Sequence, residues 1–260
     1  PIFPRIIAQR LQDGYSCEKI FFFSEPDVIC AGVLVHPRED LIRRGTELLV
    51  LPGGTGTIPA EHARLVALLE EGRGVFVYDV RGVGGVKSRL VGWNYSLGNE
   101  FKLGCDAFKM KTSTLGLRVF DVLRGFDYLR SRPELGPLSV SGTGPAAAWA
   151  LYAAVLEDGF EAATLEGLPL SYRQVVSTRF YDAGTIDFRS VAWGQLRVGD
   201  VIDLLPALAP RPLTFVAPLG AAGRPLSATL VEKEFLGPAE AAGLCGHGAD
   251  GWRPAFKGLW

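Results

Sequence analysis

Along the chain, short apolar runs alternate with stretches whose apolar residues recur every three or four positions. Pro4 to Gly14 carries Ile6, Ile7 and Leu11 at helix-like spacing and closes on a glycine, which predicts a short N-terminal helix. Glu18–Phe23 and Val28–Val35 are rich in β-branched and aromatic residues and flank Glu25-Pro26-Asp27, the pattern of an antiparallel hairpin. Glu47–Leu51 predicts a buried strand running into the glycine loop Pro52–Gly56. Ala60–Glu71, with Leu65, Leu68 and Leu69 on one side, predicts a helix stopped by Gly72 to Gly74. Val75–Tyr78 is the next strand, followed by Asp79-Val-Arg-Gly-Val-Gly84. From Gly85 to Gly116 the pattern weakens, and so long an excursion is expected to cover a site or to carry local structure of its own.

The second half begins with Leu117–Leu129, a strongly amphipathic helix predicted to turn Val119, Phe120, Leu123, Phe126 and Leu129 inward. Leu138–Ser141 then reads as a strand, Gly142-Thr-Gly144 as a tight turn, and Pro145 onward as an alanine-rich helix. Proline suits that first helical position because its missing N–H is not needed there. Ala162–Leu165 and Leu213–Val216 are further strands, Ser171–Arg197 is irregular, and Asp200–Leu208 and Ser227–Phe235 read as helices. Strands alternating with helices predict a single α/β domain over 1–260. Its central sheet is mostly parallel, with helices on both faces and an antiparallel hairpin at the N-terminus.

Composition narrows the function. A formal net charge of -1 gives no electrostatic footing for a nucleic-acid binder, and no uncharged apolar run is long enough for a membrane span. Cys17, Cys30, Cys105 and Cys245 form no C-x-x-C pair, so buried free thiols are expected, with a Cys17–Cys30 bridge left to geometry. No metal or cofactor is expected. The chain starts at Pro1 without a charged-then-apolar leader, as a mature protein or a piece of a longer chain would, and its compartment stays open.

The turn after Leu138–Ser141 has two readings. Gly142-x-Gly144-x-x-Ala147, with Glu166 about twenty positions on, fits a dinucleotide-binding fingerprint. Alternatively, the turn stands where a G-x-S-x-G elbow would lift a nucleophile from the sheet, with Gly144 in the serine's place. The order of parts favours the second. Strand, glycine loop, helix, strand, Asp79-x-Arg-Gly, excursion, long helix, strand and elbow resembles the α/β-hydrolase superfamily, in its acetyl xylan esterase and dienelactone hydrolase group. The helix phrase Arg118–Pro133, Leu170-Ser-Tyr-Arg-Gln174 and Ala207-Leu-Ala-Pro-Arg-Pro-Leu213 are similar to later landmarks of that group.

The resemblance implies an α/β-hydrolase fold, and a carboxylic ester hydrolase if the site is intact. It also implies a nucleophile, a histidine base and an acid. Gly144 has no side chain; Ser141 and Thr143 stand too early for the elbow, and Thr143 would serve only after a register shift. The acid's place, after Leu213–Val216, falls at Gly220, while Asp200 and Asp203 precede that strand and are expected to cap or solvate a helix. His247 lies where the group carries its base, beside Cys245, another conceivable nucleophile; His36 and His62 are the other histidines. Gly53, Gly54 and Thr55 are the expected oxyanion loop, but the second donor would fall to Pro145, which has no N–H. These departures together imply a degenerate site, a pseudoenzyme serving as a binding or structural module, with another domain of a longer chain as its expected partner. An active esterase with a non-standard nucleophile and the dinucleotide binder are the alternatives. Trp93, Tyr95, Tyr172 and Trp193 are candidate walls for a small acyl or carbohydrate ligand, core or lid packing being the other role for each.

Overall fold

The computed structural model describes residues 2–37, 44–88, 98–184, 186–187, 189–236 (backbone alone at 234 and 235) and 254–258. The strands among them are β1 Arg5–Gln12, β2 Tyr15–Glu25, β3 Val28–Pro37, β4 Thr46–Val50, β5 Gly74–Asp79, β6 Leu138–Thr143, β7 Phe160–Glu166, β8 Leu213–Val216 and β9 Ala255–Lys257. The helices are α1 His62–Glu70, α2 Gly98–Lys109, α3 Thr114–Arg130, α4 Pro145–Leu156, α5 Tyr172–Ser177 and α6 Ala228–Val231. All described strands join one sheet in the order β1-β2-β3-β5-β4-β6-β7-β8-β9, antiparallel as far as β5 and parallel beyond it.

The alternation of side chains along β4 and β5 divides the core into two layers. Leu49, Leu51, Val75 and Val77 pack with Leu65, Leu68 and Leu69 of α1 on one face. Leu48, Val50, Phe76 and Tyr78 pack on the other face with Val119, Val122 and Phe126 of α3 and with Trp149 of α4. Both faces are therefore covered, which is why these strands read as continuous apolar runs. The connection from β4 leads to β5 on one side, whereas β6 leads to β7 on the other. The sheet thus has a topological switch point between β4 and β6, where the loops at their carboxyl ends leave a crevice.

Three expectations need correction. Arg5–Gln12 is a strand rather than a helix: Asp13 and Gly14, at φ 52° and 82°, make the two-residue turn that suits a hairpin, and β1 pairs with β2 from Gln12↔Tyr15 onward. Every residue of β1 is exposed, so the spacing of its apolar residues reports no buried helix face. Ser171–Arg197, expected to be irregular, opens with the short α5, whereas the excursion Gly85–Gly116 carries local structure of its own, α2, as its length implied. Phe120 is exposed: α3 faces the core with Leu115, Val119, Val122, Phe126 and Leu129, and Phe120 lies outside that stripe. Cys17, Cys30 and Cys105 are free thiols. Cys17 opposes Val35 and Cys30 opposes Phe22, five positions apart along β2, which at strand rise is about 17 Å and too far for a bridge.

Candidate functional site

β6 lies in the middle of the sheet, between β4 and β7, and ends at the switch point. At its end Gly144 has φ 51° and ψ −128°, and the chain turns at once into α4 with Pro145 as first residue. This is a sharp strand-to-helix elbow in a backbone conformation that L-residues rarely adopt. The Gly144 N–H donates to the carbonyl of Glu166 on β7 (2.8 Å). A Cβ built on Gly144 would meet nothing nearer than Pro52 Cγ at 3.7 Å, so the elbow has open space where a side chain would project. Gly142 is glycine for another reason: a Cβ there would stand 2.4 Å from the Ala146 carbonyl oxygen, and its absence lets α4 sit against the strand.

Across the crevice, the loop after β4 is held by a buried carboxylate. Asp79, last residue of β5, accepts from Thr55 N–H (2.6 Å), Thr55 Oγ1 (2.5 Å) and Gly85 N–H (2.7 Å). Burial pushes the Asp79 carboxyl above its ordinary value, against the opposing pull of these three donors. Cβ atoms at Gly54 and Gly84 would lie 2.0 and 2.1 Å from its Oδ1, so both positions must be glycine to admit the carboxylate. Of the expected oxyanion loop, the Thr55 N–H is thus spent on Asp79, and the Gly54 N–H donates to Leu51 (3.0 Å). The Gly53 N–H has no protein acceptor among the described residues.

The other candidates fall in several places. Ser141 is buried on the α1 face, where its hydroxyl donates to Glu47, whose carboxyl burial pushes up. Thr143 ends β6 opposite Glu166, one residue before the elbow. Gly220 lies beyond β8 in a tight turn, its N–H donating to Arg224 (3.0 Å), and a Cβ there would press on Leu226 Cδ2 at 3.1 Å. His247 and Cys245 lie outside the described residues, as do Trp93 and Tyr95. His36 is buried at the amino ends of the parallel strands, beside Gly74, at the opposite edge of the sheet from Gly144. His62 is exposed at the start of α1. Asp200 is buried and caps α5, accepting from Tyr172 N–H (2.7 Å) and Arg173 N–H (3.2 Å), while Asp203 accepts from Asp200 N–H (2.7 Å). Tyr172 is a core residue whose hydroxyl donates to Ser190; Trp193 is half exposed.

Sequence reasoning missed two pairings at this edge. Glu166 is ion-paired with Arg64 of α1 (3.1 Å) beside the elbow. Trp149, fully buried in α4, donates to the Arg189 carbonyl (2.6 Å) and lies under the Arg118 guanidinium (4.9 Å). Residues 102 and 40 positions apart carry no local signal of such pairing. Among the described residues no group of three His, Cys, Asp or Glu is arranged to hold a metal, and no helix is long and apolar enough to cross a membrane.

The sequence matches no protein-family model, and no curated protein matches it. Solved structures do. A Bacteroides fragilis protein provisionally assigned as an acetyl xylan esterase superposes with a TM-score of 0.69 at 16% identity, over 83% of this chain; the chain spans 62% of that protein's length. Acetyl xylan esterase from Paenibacillus sp. R4 gives 0.65 at 16% identity, covering 100% of this chain and 83% of the other. A glucuronoyl esterase from Solibacter usitatus gives 0.62 at 14%, covering 99% and 81%. Identities this low speak to architecture alone. Together with the sheet order, the switch point and the elbow at Gly144, they establish that the chain has the α/β-hydrolase fold, as these acetyl xylan and glucuronoyl esterases do.

Proposed function

We propose that this chain is a catalytically degenerate relative of the ester hydrolases, serving as a binding or structural module on their scaffold. The observation that carries this reading is the elbow itself: the backbone takes the strained turn at Gly144, yet no atom projects from it, and Pro145 follows. Ester hydrolysis on this fold runs through an acyl-enzyme, which needs a nucleophilic atom at the elbow. It also draws on an N–H from the next residue to stabilise the oxyanion, and proline has none. Gly220, at the place the resemblance gives to the acid, carries no carboxylate, which supports the loss of the acid as well. The ligand class that fits the neighbours' printed activities is a small acyl or carbohydrate compound.

The dinucleotide reading loses its donors in the same geometry. Pro145 offers no N–H, the Ala147 N–H is taken by the Gly144 carbonyl (3.0 Å), and Glu166 is paired with Arg64. A pyrophosphate at this helix N-terminus would find little to bind it.

The test is hydrolysis of 4-nitrophenyl acetate and butyrate by the purified chain. The expected rate is no faster than that of a heat-denatured control, and Gly144→Ser alone does not restore turnover because Gly220 and Pro145 remain. Saturable turnover by the wild-type chain overturns the proposal. Loss of that turnover in Thr143→Ala, Cys245→Ala or His247→Ala would identify the non-standard machinery.

A further inference from the structure

A cavity of about 660 Å3 opens between α2, α5 and the segment that follows α5. α2 lies in the connection leaving β5 and α5 in the one leaving β7, so the cavity stands at the carboxyl edge of the sheet, where ligand sites of such folds gather. Its volume is that of a small-molecule site. Phe101, Val175, Val176, Ile186, Val191 and Trp193 supply most of the described wall, and Trp193 meets Phe108 of α2 edge to face at 5.3 Å.

The polar groups are few, Glu100, Asp187 and the hydroxyls of Thr178 and Tyr181, and the charged ones are of one sign. Glu100 and Asp187 are the charged residues on the described wall, which carries no lysine, arginine or histidine. Asp187 is satisfied by Arg189, through Nε (2.7 Å) and N–H (2.8 Å). Glu100 is half satisfied: Oε1 accepts from Arg118 Nη2 (2.7 Å), whereas Oε2 is buried with no hydrogen-bond partner among the described residues. Nη1 of the same Arg118 is also buried without an acceptor among the described residues; such orphans are costly and rare, so the pair lacks a donor at Glu100 and an acceptor at Arg118, and a hydroxyl can supply both. Thr178 already donates to the Gln174 carbonyl (2.7 Å).

From this we infer that the cavity binds a compact aryl or branched-alkyl molecule with one hydrogen-bond donor end, a protonated amine or a hydroxyl, the body against Trp193 and Phe101 and the donor at Glu100. Two classes are disfavoured by the same wall. A carboxylate ligand would meet Glu100 and Asp187 with no cation of the wall to receive it. A sugar chain carries a hydroxyl on nearly every carbon, and burying those against valine and isoleucine leaves them unpaired. The inference deepens the binding-module reading and rests on it, since it gives that module a ligand class other than the one the structural neighbours act on.

The experiment is calorimetric titration of the whole chain with 2-phenylethylamine, 2-phenylethanol, phenylacetate and xylotriose, each also checked by thermal melting, because a ligand of the native state raises the midpoint. The amine and the alcohol are expected to bind at one site, and phenylacetate at least about tenfold more weakly, which is the scale of one lost charge-assisted contact. Trp193→Ala weakens both aryl ligands, and Glu100→Gln weakens the amine about tenfold more than the alcohol. Both residues are partly exposed, so these variants are expected to fold, and their ligand-free melting midpoints verify it. Xylotriose or phenylacetate binding as tightly as the amine, failure of every aryl probe to bind folded protein, or amine binding unchanged in Trp193→Ala overturns the inference. Ester turnover alongside amine binding overturns only the non-catalytic reading, so the two failures are distinguishable.

Discussion

Replacing Asp79 by alanine tests how the loop facing the elbow is held. Two N–H groups in part-buried hydrogen bonds, of Thr55 and Gly85, lose their acceptor, and the Thr55 hydroxyl must turn elsewhere. An unpartnered buried donor costs about 1–3 kcal/mol, and relief of the burial penalty on the carboxylate offsets part of the sum. The expected loss is about 3 kcal/mol, a large share of the roughly 5–15 kcal/mol that holds a domain together. Gly84→Ala sharpens the argument. Its Cβ would lie 2.1, 2.4 and 2.6 Å from Asp79 Oδ1, Cγ and Oδ2, all atoms that Asp79→Ala removes. Alone, Gly84→Ala combines this clash with the strain of φ 56°; with Asp79→Ala only the strain, about 1–2 kcal/mol, is left. Urea unfolding of the two single variants and the double variant closes the cycle. The double variant should be more stable than the sum of the singles predicts by about 1 kcal/mol or more. Additivity within about 0.5 kcal/mol, or an Asp79→Ala loss under about 1 kcal/mol, would refute the account of Asp79 as the residue that fixes this loop.

Two further predictions concern stability. Burial alone would raise the Glu18 carboxyl, but hydrogen bonds from His36 and Arg132 and the Arg132 charge outweigh it and bring it down to about 2 from an ordinary 4.5. Its folded value lies below its unfolded one, so it contributes stability above pH 4.5 that is lost as pH falls toward 2, about 3 kcal/mol in full. His36, raised above 6.5 chiefly by its hydrogen bond to Glu18, contributes stability that is complete below pH 6.5 and fades as pH rises through the higher folded value. Chemical unfolding across pH should therefore show both limbs flattened in Glu18→Gln, and a Glu18→Gln profile parallel to wild type would refute this pairing. At the elbow, Gly142→Ala should cost about 2 kcal/mol or more, since backbone of α4 must move, whereas Gly144→Ala should cost only the positive-φ strain of about 1–2 kcal/mol. Equal losses by thermal melting would contradict the open space at Gly144.

How much of this was legible in the sequence depends on how local each signal is. The buried parallel strands, α1, α3 and the turn at Pro145 were readable because apolar runs and a 3.6 period follow directly from burial on two faces or one. The hairpin of β2 and β3 was readable, but β1 reads as a helix because Ile6, Ile7 and Leu11 are exposed and their spacing carries no burial signal; Asp13-Gly14 is the clue to the extra strand. α2 hid in the excursion because only Gly104 and Ala107 of it are buried. At the site, the order of landmarks was enough to place Gly144 at the elbow. The Asp79 clasp was half visible, as a carboxylate near several glycines, but which glycines must yield to it is a matter of three-dimensional approach. The Glu166–Arg64 pair and the cavity beneath α2 join residues from distant parts of the chain, and no local pattern records them.

The central claim, that nothing at the elbow can be acylated, is tested most directly by intact-mass analysis of the chain after exposure to a fluorophosphonate, which forms a covalent adduct with an activated hydrolase nucleophile. The account predicts an unmodified mass for the wild-type chain, because Gly144 carries no side chain. A stoichiometric adduct, formed by the native but not the heat-denatured chain and mapped to Thr143, Ser141 or Cys245, would contradict it.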